Sequence, residues 1–227
     1  MRVAGVIPAL NEAASIGEVL RQIPKDRVER VVVADNGSTD ATAQVAREGG
    51  AIVVSEPHRG YGQACLAALD YLRQNEPPDV VLFLDADLSD FPEEAHLLLD
   101  KITEGYDLVI GSRVRLARKD ALLPQARFGN WLSTRLVRLF YGERFTDLGP
   151  FRAIRWEALE RIAMADTNFG WTVEMQVKAA KHGLRCAEVD VRYRPRHGDK
   201  SKVTGTLRGT VGAGTKILYV IFRELLS

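Results

Sequence analysis

The chain has little cysteine: Cys65 and Cys186 are the only two in 227 residues, far apart, with no CxxC pair and no zinc-ligand spacing. That speaks against a disulfide framework or a thiolate metal centre, and it suits a reducing cytoplasm. Long hydrophobic runs are missing as well. The opening stretch MRVAGVIPALNEAAS is interrupted by Pro8 and by Asn11-Glu12, which reads as a strand and not as a signal peptide. The most apolar C-terminal run, Ile217 to Phe222, is far below the ~20 residues that span a bilayer. The expectation is a cytoplasmic protein that could sit peripherally at the inner face of a membrane. Charge of one sign is not in excess either, since 31 Lys and Arg face 30 Asp and Glu for a net +1. This removes the general signature of a nucleic-acid binder.

What is present is an ordinary globular composition, 46% apolar and 27% charged, in a length that supports one self-sufficient core. The near-neutral total hides an asymmetry. Arg113 to Arg144 carries a net +6 and Arg192 to Arg208 a net +5, so positive charge gathers in the C-terminal half.

Short β-branched runs alternate with amphipathic stretches through the first 111 residues. Strands are expected at Val3–Ile7, Val31–Ala34, Ile52–Val54, Val80–Leu84 and Leu108–Ile110, with helices near 15–23, 38–48, 62–73 and 92–104 between them. That rhythm predicts an α/β fold with a mostly parallel central sheet and helices on both faces, whose ligands bind at the carboxyl ends of the strands. After Gly111 the alternation gives way to a basic linker, a helix near 125–140, a strand near 151–154, helices near 156–162 and 173–181, a strand near 186–191, a basic loop from Arg194 to Gly205 and a final helix. We read residues 1–227 as one domain, with a ligand-binding half (1–111) and a second half (112–227) bearing the basic C-terminal loop.

The strongest chemical signal is Val80-Val-Leu-Phe-Leu-Asp85-Ala-Asp87, an apolar strand that ends in two aspartates. Two carboxylates at the mouth of a buried strand suit a hard divalent cation such as Mg²⁺ or Mn²⁺; solvated turn residues are the plain alternative. Polar groups follow the first two strands as well, in Pro8-Ala-Leu-Asn11-Glu12 and Asp35-Asn-Gly-Ser-Thr-Asp40. Asp35 suits a base or ribose, whereas Ser38 and Asp40 read as helix caps and Asn11 and Glu12 are open to a first-turn reading. Arg59-Gly60-Tyr61-Gly62 is not a dinucleotide fingerprint, because Cys65 replaces the third glycine and the loop does not follow the first strand.

Taken in order, Val6-Ile-Pro-Ala-Leu-Asn-Glu12, Val33-Ala-Asp-Asn-Gly-Ser-Thr-Asp40, Gly60-Tyr-Gly-Gln-Ala64, Leu84-Asp-Ala-Asp-Leu88, Gly111-Ser-Arg113, Asp147-Leu-Gly-Pro-Phe-Arg152 and Arg196-His-Gly-Asp-Lys-Ser-Lys202 resemble the GT-A glycosyltransferases of family two. Within them, the similarity is to the polyprenyl-phosphate sugar transferases typified by dolichyl-phosphate mannose synthase. The resemblance implies a GT-A fold and a UDP- or GDP-linked sugar held by Pro8, Asn11, Glu12, Asp35, Asp85, Ala86, Arg196 and Lys202. It also implies Mg²⁺ or Mn²⁺ on Asp85 and Asp87, Arg113 facing phosphate, and transfer of a hexosyl group with inversion. Two departures leave the acceptor open between a polyprenyl phosphate or another membrane-associated acceptor and a soluble hydroxyl: Ser89 stands where glutamine is usual, and Leu148-Gly-Pro-Phe-Arg152 replaces the usual Ser-Gly-Phe-Arg.

A hydroxyl acceptor requires a general base, for which Asp147 and Glu174 are the candidates, whereas a phosphate acceptor is already ionised near neutral pH. His197 is either a metal ligand or a polar loop residue. The helix near 125–140 interleaves Phe128, Trp131, Leu132, Leu136 and Leu139 with arginines, which fits a lipid phosphate or an anionic membrane surface as well as a core-facing stripe. The competing readings are an aspartyl-phosphate phosphatase, a nucleotidyltransferase and a nucleotide-sugar-binding module without catalysis. The first two lack their expected motifs after the first strand.

Overall fold

The computed structural model describes residues 1–118, 121, 124–196 and 207–226. Among them, seven strands form one sheet in the order β3-β2-β1-β4-β6-β5-β7. These are β1 (Val3–Ala9), β2 (Arg30–Asp35), β3 (Ile52–Ser55), β4 (Val80–Phe83), β5 (Leu108–Ser112), β6 (Arg152–Arg155) and β7 (Cys186–Asp190). β1 to β4 are mutually parallel and β5 pairs parallel with β7. Only β6 runs the other way, inserted antiparallel between β4 and β5.

Two apolar layers cover the sheet. Val3, Ile7 and Ala9 face the layer built with α1 (Ile16–Gln22), α2 (Thr42–Glu48) and α4 (Ala95–Thr103). Ala4 and Val6 face the opposite layer, built with α3 (Tyr61–Gln74), α5 (Pro124–Tyr141), α6 (Trp156–Ile162), α7 (Trp171–Lys181) and α8 (Leu207–Leu226). Burial on both faces explains why β1 is apolar throughout and does not alternate. A short 3-10 turn, Pro92–Glu94, leads into α4, where the sequence suggests one continuous helix.

The chain order reverses between β1 and β4, the switch point at which such sheets open a crevice. Pro8 marks that opening. The carbonyl of Val6 accepts from the N–H of Leu84 and that of Ala9 from Asn36, so even-numbered residues of β1 face β4 and odd-numbered ones face β2. Register with β4 ends at Val6↔Phe83, and Pro8 therefore lacks its N–H on the side from which β4 has already departed. No ladder bond is lost there. No helix among the described residues is long and apolar enough to cross a membrane.

Candidate active site

A cavity of about 570 Å³ opens at this switch point. Its walls include Pro8 and Glu12 after β1, Asp85, Ala86 and Asp87 after β4, Arg113 after β5, and Arg196. The turn following β4 is tight: Leu88 adopts φ +60°, and the Asp87 carboxylate accepts the N–H of Ser89 at 3.0 Å. Asp85 accepts the Tyr61 hydroxyl at 3.0 Å. Desolvation first, and the Asp87 charge second, push the Asp85 carboxyl up to about 7. Asp90, buried just beyond the turn, is pushed well above the usual carboxylate range by burial and then by Asp85.

Arg196 is carried to the cleft by a segment pinned under the same turn. Arg194 donates its N–H to the Ser89 carbonyl and lies 4.3 Å over the Phe91 ring, while Arg192 pairs with Glu94. Arg196 then pairs with Glu12 and approaches Asp87 to 3.8 Å. Its Nε is buried without a hydrogen-bond partner among the described residues, as is Nε1 of Trp171 in the same cavity wall. Two orphaned donors in one cleft match a ligand rich in oxygen acceptors.

Arg113 forms the partition behind this cleft. Its backbone N–H, Nε and Nη2 reach Asp147 at 2.8, 2.7 and 2.7 Å, and the guanidinium stacks 4.9 Å over Tyr193. Burial alone would raise the Asp147 pKa, but Arg113 overrides it and the carboxyl is held below its ordinary value. Glu188 on β7 secures the loop by accepting the N–H groups of Thr146 and Asp147. Fully buried Arg152 donates to the carbonyls of Gly149 and Thr172, and Gln176 bonds the Asp147 carbonyl.

On the far side of Arg113 and Tyr193 lies a second cavity of about 970 Å³, whose wall includes Arg118, Arg127, Arg135, Arg138 and Arg144. Asp147 belongs to this second wall.

The structure thus brings together Pro8, Glu12, Asp85, Ala86, Asp87, Arg113 and Arg196. Asn11 and Asp35 lie beside the cleft and not in its wall: Asn11 Oδ1 accepts from Thr39 and Asp35 from Ser38, while neighbouring Asn36 lines the cavity. Glu174 is not brought to either cavity. It is fully buried on α7, accepts the N–H groups of Ala165 and Asp166, and pairs with Lys178 and Arg223 at 3.0 Å each. Lys202 and His197 lie outside the described residues. Sequence reasoning gave no role to Tyr61, Trp171 or Tyr193. Only Tyr61 carried a signal, its place between two glycines at a helix start.

Residues 6–163 match the family described as Glycosyl transferase family 2. An uncharacterised glycosyltransferase of Mycobacterium bovis is 39% identical over 206 residues, 91% of each chain. A dolichyl-phosphate hexose transferase of Haloferax volcanii is 33% identical over 226 residues, 98% of this chain and 95% of that one. In fold, the glucosyl-3-phosphoglycerate synthase of Mycobacterium tuberculosis, crystallised with Mn²⁺, UDP and glucosyl-3-phosphoglycerate, superposes with a TM-score of 0.79 at 23% identity, covering 98% of this chain and 79% of that one. The α/β sheet with its β1/β4 crevice is accordingly the GT-A fold, and the chain belongs to glycosyl transferase family 2.

Proposed function

We propose that this glycosyltransferase moves a hexosyl group, with inversion, from a nucleoside diphosphate sugar in the β1/β4 cleft to a polyprenyl phosphate whose phosphate enters the second cavity. The observation that carries the reading is the second cavity itself: several arginines line a space that shares Arg113 and Tyr193 as a common wall with the donor cleft. A soluble sugar hydroxyl needs no such concentration of guanidinium groups, whereas a phosphate does. The dolichyl-phosphate hexose transferase of Haloferax volcanii, similar over almost the whole chain, supports the same acceptor class.

The donor side follows from the cleft. Pro8, Asn11, Glu12 and Asp35 are the groups proposed for the nucleoside, with Ala86, Arg196 and Lys202 toward the diphosphate. Asp85 and Asp87 would hold Mg²⁺ or Mn²⁺. The fit is chemical: burial first and the Asp87 charge second disfavour the ionised Asp85 carboxylate, and a bound cation would relieve both. Among the described residues no third His, Cys, Asp or Glu completes a protein-only cage, which suits an ion shared with the diphosphate. When bound, it would neutralise negative charge on the departing nucleoside diphosphate.

An acceptor phosphate oxygen attacks the anomeric carbon as the bond to the donor's β-phosphate breaks. The acceptor is ionised near neutral pH, so no strong base is required. Asp147, held ionised by three bonds to Arg113, acts here by fixing that arginine between the two anions. Both cavities then present cations to the two phosphate groups that exchange the sugar.

Calorimetry with UDP- and GDP-sugars, with Mn²⁺ or Mg²⁺ and then with EDTA, tests the donor site. Metal-dependent micromolar binding of one nucleotide sugar is expected, and Asp87→Ala should abolish it in a folded protein. Radiolabelled transfer to a short-chain polyprenyl phosphate tests the acceptor. Donor binding combined with transfer only to hydroxyl acceptors would overturn the acceptor assignment.

A further inference from the structure

The α5 helix has a composition its place in the fold does not require. Its 18 residues include Arg127, Arg135 and Arg138 and no acidic residue. Ser133, Thr134 and Val137 are buried against the protein. The exposed side holds Arg127, Trp131, Arg135 and Arg138 at positions i, i+4, i+8 and i+11, flanked by Phe128 and Leu139. Large apolar groups on that face are uncovered: Phe128 is 62% exposed, Trp131 52% and Leu139 73%. Phe128 and Trp131 pack ring to ring at 5.9 Å, and Arg135 lies 5.8 Å over Trp131. Among the described residues, no carboxylate pairs with these three arginines. In the last turn of α5, exposed Phe140 stacks edge-on against Phe222 of α8, the helix that also carries exposed Leu225 and Leu226.

We propose that this face of α5 is a membrane-docking surface that lies in the headgroup region of an anionic phospholipid bilayer. Charge decides among occupants. A second copy of the chain packed face to face on α5 would set three arginines against three more with no carboxylate on either helix. An anionic bilayer instead takes the guanidinium groups at its phosphates and the aromatic and leucine side chains at its acyl boundary. The helix is about 27 Å long at 1.5 Å per residue, enough to lie along the surface with its exposed side sunk by about 5–10 Å. Arg127, Phe128, Trp131, Arg135 and Arg138 also wall the second cavity, so that cavity opens at the docked face. The inference deepens the acceptor reading of that cavity, because a polyprenyl phosphate could then enter from the bilayer without leaving it. The docking itself is measured without donor or acceptor.

Co-sedimentation of the full chain with vesicles tests it, comparing phosphatidylcholine alone with equal parts phosphatidylcholine and phosphatidylglycerol. The chain should sediment with the anionic vesicles only, and less so as salt rises. Arg127→Glu/Arg135→Glu/Arg138→Glu should lower the partition coefficient about a hundredfold or more. Leu139→Asp, which lines neither cavity, should lower it about tenfold. Circular dichroism establishes that both variants are folded, and Asp87→Asn should bind vesicles as the parent does. Failure of the parent chain to bind anionic vesicles, or unchanged binding by the triple variant, overturns the proposal. So does a parent dimer that the triple variant dissolves, since the face would then join two copies. Transfer to a short-chain polyprenyl phosphate in vesicle-free buffer separates the two readings: transfer without vesicle binding ends the docking proposal alone, and vesicle binding without transfer ends the acceptor reading alone.

Discussion

Replacing Asp147 by asparagine preserves shape and removes one charge from a pair whose members are 2% and 14% exposed, too little for solvent to screen them strongly. Arg113 keeps at most part of its three bonds, and the new amide places a donor against a guanidinium that has only donors. Removing one partner of a buried pair costs about 3–5 kcal/mol, and the side of Arg113 that lines the cleft brings the expectation to the lower end, about 3 kcal/mol. For a domain of this length that corresponds to a loss of about 6–12 °C in Tm. The pH dependence has a definite sign. The Asp147 pKa is lowered in the folded protein, so its stabilisation is fully present above the ordinary value of 3.8 and is lost as pH falls through the folded value. Urea unfolding of the parent and Asp147→Asn across a pH series should therefore show the widest gap near neutrality, closing in acid. A neutral-pH gap below about 1 kcal/mol, or one that persists undiminished in acid, would refute the clamp.

A proton and a divalent cation should compete for Asp85, whose carboxyl is pushed up to about 7 by burial and then by the Asp87 charge. Between about pH 8 and about pH 6 the apparent Mn²⁺ affinity measured by calorimetry with UDP should fall about tenfold, and a flat profile would contradict the assignment. Gly62→Ala places a methyl 1.9 Å from the Asp166 carbonyl oxygen and should destabilise by about 1–3 kcal/mol while weakening donor binding. Gly129→Ala on α5, with nothing within 4 Å of the new methyl, should instead stabilise by about 0.5–1 kcal/mol, and thermal unfolding of the pair distinguishes a packing glycine from a free one. Glu174→Gln strips the counter-charge from Lys178 and Arg223 and should cost about 2–4 kcal/mol, read as earlier exposure of α8 to limited proteolysis; unchanged cleavage of α8 would show that the helix is held by other contacts.

The first half of the fold was legible because burial on both sheet faces and amphipathic crossover helices leave different periods in the chain. β6 was visible only as a short strand. Nothing in Arg-Ala-Ile-Arg reveals that it enters antiparallel between β4 and β5, or that Arg152 is fully buried on backbone carbonyls. The cleft aspartates were legible since they end an apolar strand. Asp147 and Glu174 were not separable: each is an acid near a turn or helix start, and only tertiary structure gives one to Arg113 and the other to α8. Trp171 reads as a core residue in sequence. Its orphaned indole N–H is a property of the packed cleft.

The insertion of β6 also governs the order in which the protein can be made. When residues 1–112 have left the ribosome, β4 and β5 are already synthesised, yet neither can pair with the other, because the seat between them belongs to a strand that begins forty residues further on. Both edges stay open until β6 closes the gap, and such edges invite pairing with other chains. Closure also spans long sequence separations, which slows it. The two halves that meet where the strand and helix alternation ends are therefore not successive folding units. A nascent chain halted between β5 and β6 would be the form of this protein most prone to aggregate and most in need of a chaperone.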